Sequence, residues 1–413
     1  MRRFAAILAF MMVASVAFAG EMTFQAWNYH MPGEREFYDD LIADFEAANP
    51  GDSVDFQFGE WDDAHDTIAA WLEAGEGPDL VVAPDMWLAE FADDLTPYVD
   101  DLSAEMKSEF FEVLLNKATW RGHTWGLVWA TSTKALFYRT DLFEQAGIDG
   151  PPRDWDELLD YAQRLHRWDS PYGLGIPVKP VYESTDNWYF FFWSAGGEFF
   201  DENGKAAVNS PIGVASLKFY RDLARRHHVT QPEPTSWSRK ETRKYFIAEK
   251  VAMHANGPWT VGDIISTNPD LPFAVAPLPV APDRKPFDPT RATQVITDHL
   301  VMPVRCADRD LAMRFIRFAY QDRYRQRFCE LGMVPEKKSV ARSDFFQDDP
   351  AWRIFVEIIP DGKFIPLMKW EPIELAAQQM LYDVFTGRRS VESALDELAA
   401  VMDAEVAAQG RDG

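Results

Sequence analysis

The chain has 413 residues, of which 47% are hydrophobic, with 15 tryptophans and only 2 cysteines. That length exceeds one ordinary core and calls for two domains, while the apolar content excludes a disordered chain and the cysteine count excludes a disulfide framework. With 66 acidic against 41 basic side chains the net charge is −25, which gives a surface that repels nucleic acid and anionic lipid.

Residues 1–19 read as a cleavable secretion signal: Arg2-Arg3, an apolar run over 4–17, then Ala17-Phe18-Ala19 before Gly20. The run is shorter than the ~18 residues a membrane span needs. No Cys follows the site to carry a lipid anchor, and nothing later reads as a transmembrane helix. Loss of Arg2 and Arg3 leaves 39 − 66 = −27 on the mature chain, which is expected in the periplasm.

Residues 22–27 alternate as a short strand that delivers Trp27 and Asn28. A helix follows with Phe37, Leu41 and Phe45 on one face, stopped by Asn49-Pro50-Gly51. Val54, Phe56 and Phe58 alternate as a second strand that ends at Glu60 and Trp61. A helix over 63–74 is broken by Gly75–Pro78, and residues 79–83 form a continuous apolar strand before Asp85, Met86 and Trp87. Strand, helix, strand, helix, strand predicts an α/β sheet with ligands beyond the carboxyl ends of its strands. Each of those three ends presents an indole. The cluster Asp62, Asp63, His65 and Asp66 looks metal-like, but a helix start with carboxylates on the dipole explains it.

Over residues 120–158, extended runs at 124–129 and 134–139 are joined by 130–133 with no tight-turn pair, so the chain passes from one body to another. Gly147 closes the next helix, and Asp154 with Glu157 opens the one after it. Residues 186–200 are the densest aromatic segment, with Trp188, Phe191 and Phe192 on a buried helix face and Trp193 on the other side. Residues 251–254 read as a strand, and the bend Gly257-Pro258 aims Trp259 towards a cleft. Residues 283–289 continue a proline-rich surface loop, 294–303 form a second crossing that carries Asp298, and 326–339 resemble a third crossing known from a family of two-lobed proteins. Trp370 precedes two amphipathic helices at 371–385 and 390–406. Cys306, which precedes a helix at 308–321, and Cys329, near the end of the next at 322–331, are either two free thiols or a pair. Three crossings divide the chain into a lobe of 20–130 plus 298–333 and a lobe of 131–297 plus 334–413, joined by a three-segment hinge. The cleft between them is the default site.

The run GEGPDLVV at 75–82, the run YFIAEKVAMHANGPW at 245–259 and the third crossing QRFCELGMVPEKKS, in this order around the 120–158 stretch, resemble family 1 extracellular solute-binding proteins, the sugar-capturing subunits of ABC importers. The resemblance covers nearly the whole mature chain. It departs at Ala248-Glu249, where Gly is common, and lacks the Gly pair often found before the second crossing. It implies an α/β fold of the two-lobed type II periplasmic binding class, each lobe a mostly parallel sheet flanked by helices. It also implies capture of a sugar, oligosaccharide or polyol by hinge closure, delivery to membrane permease subunits, a monomer, no turnover and no cofactor. It places Trp370 over the sugar.

An indole covers the C–H face of a sugar while carboxylates and amides meet its hydroxyls. The stacking candidates are Trp27, Trp61, Trp87, Trp129, Trp193, Trp259 and Trp370, headed by Trp259; the polar candidates are Asn28, Glu60, Asp85 and Asp298. Two other readings stay open. Aromatics and carboxylates also suit a cationic solute such as a polyamine or betaine, with a glycerol phosphate as a further choice. Asp85 and Asp298 would be the carboxylate pair of a glycoside-active enzyme. No nucleophile elbow, zinc spacing or phosphate loop occurs.

Overall fold

The computed structural model describes residues 20–282, 293–360 and 362–409. The secretion signal expected at 1–19 and the proline-rich residues 283–292 lie outside them. Strands β1 (Glu21–Asn28), β2 (Ser53–Glu60) and β3 (Leu80–Pro84) alternate with helices Glu34–Ala48 and Ala64–Ala74 as the periodicity predicts. A small hairpin, β4 (Thr119–Trp120) and β5 (His123–Thr124), leads to β6 (Gly126–Thr133) and β7 (Ala135–Arg139); β8 (Met253–Asn256), β9 (Phe273–Ala276) and β10 (Val295–Val301) follow.

One sheet has the order β2-β1-β3-β10-β6 and the other β8-β7-β9. β3 and β6 are buried along their whole length, which their unbroken apolar and small-residue runs require. Phe24 sits at the centre of the first core, with Phe315, Phe56 and Trp129 rings 5.3–5.6 Å away. In the second sheet the side chains of β7 alternate. Phe137 packs on Phe246, Phe273 and Phe355, while Tyr138 turns to Phe143 on the opposite face.

The first sheet is mixed and the second antiparallel, where mostly parallel sheets were expected. β1 pairs in parallel with β2 and β3, but β10 runs antiparallel to β3 and β6, and β7 runs antiparallel to β8 and β9. For β6 and β10 connectivity is the cause: a strand that leaves a sheet's lobe and one that returns to it side by side run in opposite directions.

The chain passes from one sheet to the other over very short connections. β6 and β10 remain paired through Thr131, Ser132 and Thr133 opposite Thr297, Ile296 and Val295, so the ladder continues across the limits drawn from the crossings at 130 and 298. Lys134 alone separates β6 from β7. Its backbone N–H donates to Thr293 Oγ1 at 2.9 Å, and that hydroxyl donates to Lys134 O at 2.6 Å, tying the first crossing to the second. Val334 N–H donates to Thr131 O at 2.8 Å and binds in the third. Cys306 and Cys329 are both free thiols.

Candidate functional site

Two adjoining chambers of about 1070 and 1720 Å³ lie between the sheets and share Trp61, Glu183, Lys240, Ile296 and Asp298 as walls. Residues from both lobes face this continuous cleft. Trp61 opens the short turn after β2, stacked on Trp87 with ring centroids 6.2 Å apart and tilted over Tyr29 at 5.2 Å. Trp87 lies in the first turn of helix Asp85–Phe91, and Asp85 begins that helix with Lys117 Nζ 3.2 Å from its carboxylate.

Trp259 faces them from the other lobe as the first residue of helix Trp259–Thr267. Its Nε1 donates to Asn256 Oδ1 at 3.1 Å. The ring folds back over Gly257, where a Cβ would meet its carbons at 2.4–2.7 Å, so only glycine leaves it room. Gly332, at φ +148°, carries the third crossing between Met31 and the Trp259 backbone, with a Cβ there 3.1–3.2 Å from both.

Of the eleven expected residues, Asn28, Trp61, Asp85, Trp87, Trp259 and Asp298 line the cleft. Glu60 lies beside it, accepting from Asn28 Nδ2 at 3.2 Å and meeting His30 at 3.5 Å. Four indoles do not reach the cleft. Trp27 is buried where β1 is covered by β2 and β3, donates to Val82 O at 2.7 Å and stacks on Trp71. Trp129 donates to Tyr38 Oη at 3.0 Å inside the first core. Trp193 and Trp370 both pack edge-on against Phe199 in the second core. Trp370 precedes its helix as expected, but it is buried, with the Phe199 ring edge-on 5.0 Å away.

Several lining groups were not anticipated. Tyr29 Oη donates to Asp298 Oδ2 at 2.9 Å, while Asp298 Oδ1 is buried with no hydrogen-bond partner among the described residues. Burial, aided by the charge of Asp85, pushes the Asp298 pKa up to about 7. Glu374 accepts from Thr185 Oγ1 at 2.6 Å and Tyr189 Oη at 3.2 Å, and burial raises it to about 7 as well. Glu183, Arg239, Lys240 and Arg243 complete the second lobe's side. Arg239 and Lys240 sit in a charged run, RKETRK, that reads as a solvated helix face; the capping box of Ser238 with Glu241 starts that helix at the cleft wall. Among the described residues no group of three or more His, Cys, Asp or Glu side chains is placed to hold a metal.

Glu34 supports the strand-end loop, accepting from Tyr29 N–H at 3.0 Å and Met31 N–H at 3.4 Å, with Oε1 unpartnered. Burial raises its pKa to about 8. A carboxyl raised in this way is kept protonated by the folded chain while the unfolded chain has released its proton. Its stabilising effect is therefore full below the ordinary carboxyl range and is lost as pH rises through about 8. Glu34→Gln keeps the acceptor and removes the titration. Its melting temperature should gain on that of the unchanged protein between about pH 5 and about pH 9. A constant difference across that range would remove Glu34 as a titrating group.

The family of bacterial extracellular solute-binding proteins matches residues 32–326. A binding protein of Brucella abortus is 29% identical over 406 residues, covering 96% of each chain. The maltotriose-binding protein of Pyrococcus abyssi is 22% identical and covers 86% of this chain and 77% of its own. Among solved structures, an ABC transporter solute-binding protein from Thermotoga lettingae bound with alpha-D-tagatose is 28% identical, with a TM-score of 0.81 over 93% of this chain and 99% of that one.

Proposed function

The chain belongs to the family of bacterial extracellular solute-binding proteins, and we propose that it is the capture subunit of an ABC importer, closing its lobes on a sugar, oligosaccharide or polyol. In this reading residues 1–19 direct it to the periplasm, and the closed form delivers its ligand to the membrane permease subunits. The hinge would act at Lys134, Thr293 and Val334, with 20–133 plus 294–333 moving against the remainder. Relatives of this chain are binding proteins, and the sugars named for the Pyrococcus and Thermotoga relatives support the carbohydrate class.

The observation that carries the reading is the row of Trp61, Trp87 and Trp259 in one cleft, opposite polar groups from both lobes. Flat indoles with carboxylates and amides between them match the alternating C–H faces and hydroxyl edges of a sugar. Arg239 and Lys134 already lie against the Trp259 ring and would repel the ammonium of a polyamine or betaine, a repulsion that a neutral sugar does not meet.

The test is to unfold and refold the protein, which removes any carried-over ligand, and to record thermal shifts against carbohydrates, polyols, polyamines, betaines and glycerol phosphates. A ligand at ~100 times its Kd should stabilise by about 2.7 kcal/mol. A shift with carbohydrates and no product formed on incubation supports a binding protein. A shift with ammonium compounds alone, or turnover of a glycoside, contradicts it.

A further inference from the structure

His65 joins the two bodies of the chain at the wall of the second chamber. It belongs to helix Ala64–Ala74, whose Ala64 and Ile68 pack in the first core. Glu371 begins helix Glu371–Thr386, whose Ile373, Ala377 and Met380 pack in the second. Both side chains line the chamber. His65 Nε2 lies 3.2 Å from Glu90 Oε2 and 3.7 Å from Glu371 Oε2, and its Nδ1 lies 3.3 Å from Asp66 Oδ1. Glu90 is on helix Asp85–Phe91 of the first body, so one imidazole nitrogen sits between a carboxylate of each body. Trp87, edge-on at 5.1 Å, and Phe91, at 5.7 Å, flank the ring. This arrangement calls for a proton. A neutral imidazole has one N–H and one lone pair. With the hydrogen on Nε2 the Nδ1 lone pair faces Asp66, and with it on Nδ1 the Nε2 lone pair faces Glu90 and Glu371. Only the imidazolium offers a donor to both sides. The charged groups that face it are Asp66 of its own helix, Glu90 and Glu371, all carboxylates. Partial burial lowers the His65 pKa, but hydrogen bonds to Glu90 and Asp66 and the charges of Glu90 and Glu371 outweigh it and raise the group above its ordinary value. Without the proton, carboxylates of opposite bodies are left beside one neutral nitrogen and repel each other.

We propose that His65 is a proton-operated latch on lobe closure: charged, it ties Glu371 to Glu90 across the cleft, and uncharged it lets them part. The latch rests on lobes that open and close, as the capture reading has them, and does not depend on which solute they enclose. Its sign follows from linkage. The closed form holds the proton more tightly than the open form, in which Glu371 is withdrawn. Closure therefore gains its full support below the open form's pKa and loses it as pH rises through the closed form's. Glu371 is 59% and His65 23% exposed, so solvent screens the pair. A pair of this kind shifts the closing equilibrium by up to about fivefold.

Two measurements on the refolded, ligand-free full chain test this. In the first, the histidine ring carbons are titrated by NMR, with the His65 signal identified by its loss in His65→Gln. That signal should titrate at lower pH in Glu371→Gln, a change at an exposed helix start that leaves the cores untouched. In the second, small-angle X-ray scattering gives the radius of gyration at about pH 5.5 and about pH 8, on either side of the ordinary histidine range. The unchanged chain should be more compact at the lower pH, and His65→Gln and Glu371→Gln should each lose most of that difference. Asp298 and Glu374, raised to about 7 by burial, and Lys134, lowered to about 7 by burial, also titrate at the cleft, so only the difference between the chains reads His65. A His65 titration unchanged in Glu371→Gln overturns the proposal, because the two residues then do not meet in solution. Compaction that is equal in all three chains, or absent from all three, overturns it as well. Maltotriose, or whichever carbohydrate raises the melting temperature, separates this failure from that of the capture reading. Compaction by the sugar but not by acid removes the latch alone, whereas a sugar that binds without compacting the chain removes lobe closure with it.

Discussion

Glu336→Ala is expected to lower the unfolding free energy by about 3–5 kcal/mol, among the largest effects of any single side chain in the protein. Glu336 lies on the third crossing and is fully buried, with Arg325 Nε donating to its Oε1 at 2.6 Å. Arg325 also donates to the Trp129 carbonyl, and its guanidinium lies 4.6 Å over the Trp129 ring and 4.9 Å over Phe328. Burial pulls the Arg325 pKa down, but the attraction of Glu336 outweighs it and holds the group charged. Removing Glu336 leaves a cation in an aromatic core with nothing to balance it. Removing both charges costs less than removing one, because burying the pair was itself unfavourable. The double variant Arg325→Met with Glu336→Leu should therefore recover much of the loss. Equilibrium denaturation of the ligand-free protein measures both midpoints. A single variant as stable as the unchanged protein, or a double variant worse than the single, would remove the pair from the account. Because Phe111 N–H donates to the Glu336 carbonyl at 3.1 Å, the same region also fixes the third crossing to the first lobe.

The alternation of strands and helices was legible because the buried runs are unbroken and the stops are strong. Leu80–Pro84 and Gly126–Thr133 contain no charged residue, and Gly75 and Gly147 close their helices at positive φ. The crossing at Lys134 was legible through the missing turn pair. Its position was not, since Thr131, Ser132 and Thr133 look like a polar linker yet remain fully paired strand. Small polar residues can be buried in a central strand when the ladder satisfies their backbone.

Among the indoles, strand-end position was a poor guide and helix-start position a better one. Trp61, Trp87 and Trp259 occupy the first turns of helical segments that open at the cleft. Trp129 lies inside a wholly buried strand, and Trp27 is one residue from the end of a strand flanked on both sides. Trp193 sits in a helix whose residues are buried on nearly every side. Trp370 shows the limit of the rule: it stands at a helix start, and Phe199, distant in sequence, decides its burial. The cations at the Trp259 end were hidden for a similar reason. A run such as RKETRK has the composition of a solvated surface, and only tertiary placement brings Arg239, Lys240 and Arg243 to the cleft wall.

Trp259→Ala is expected to weaken the cleft's carbohydrate ligand by at least about 2 kcal/mol, some thirtyfold in Kd, with little loss of stability. The ring is half-buried at the cleft wall, so the variant removes stacking surface for the ligand and opens no cavity in a sealed core. Gly257→Ala should act in the same direction without touching the indole's chemistry. Its Cβ would stand 2.4 Å from a ring carbon and must drive the ring off the position that Asn256 holds. Trp193→Ala should show the opposite division. That side chain is buried among Phe199 and Tyr189 away from the cleft, and its removal should cost about 3–5 kcal/mol of stability while the folded fraction binds as before. Titration and denaturation of the three variants against a ligand found in the thermal-shift panel separate the two roles. If Trp259→Ala and Gly257→Ala bind unchanged, the stacking platform is elsewhere in the cleft, and Trp61 with Trp87 becomes the pair to replace. If Trp193→Ala loses affinity when fully folded, the second core is coupled to the cleft wall, and the division of the indoles into core and site drawn from burial does not hold.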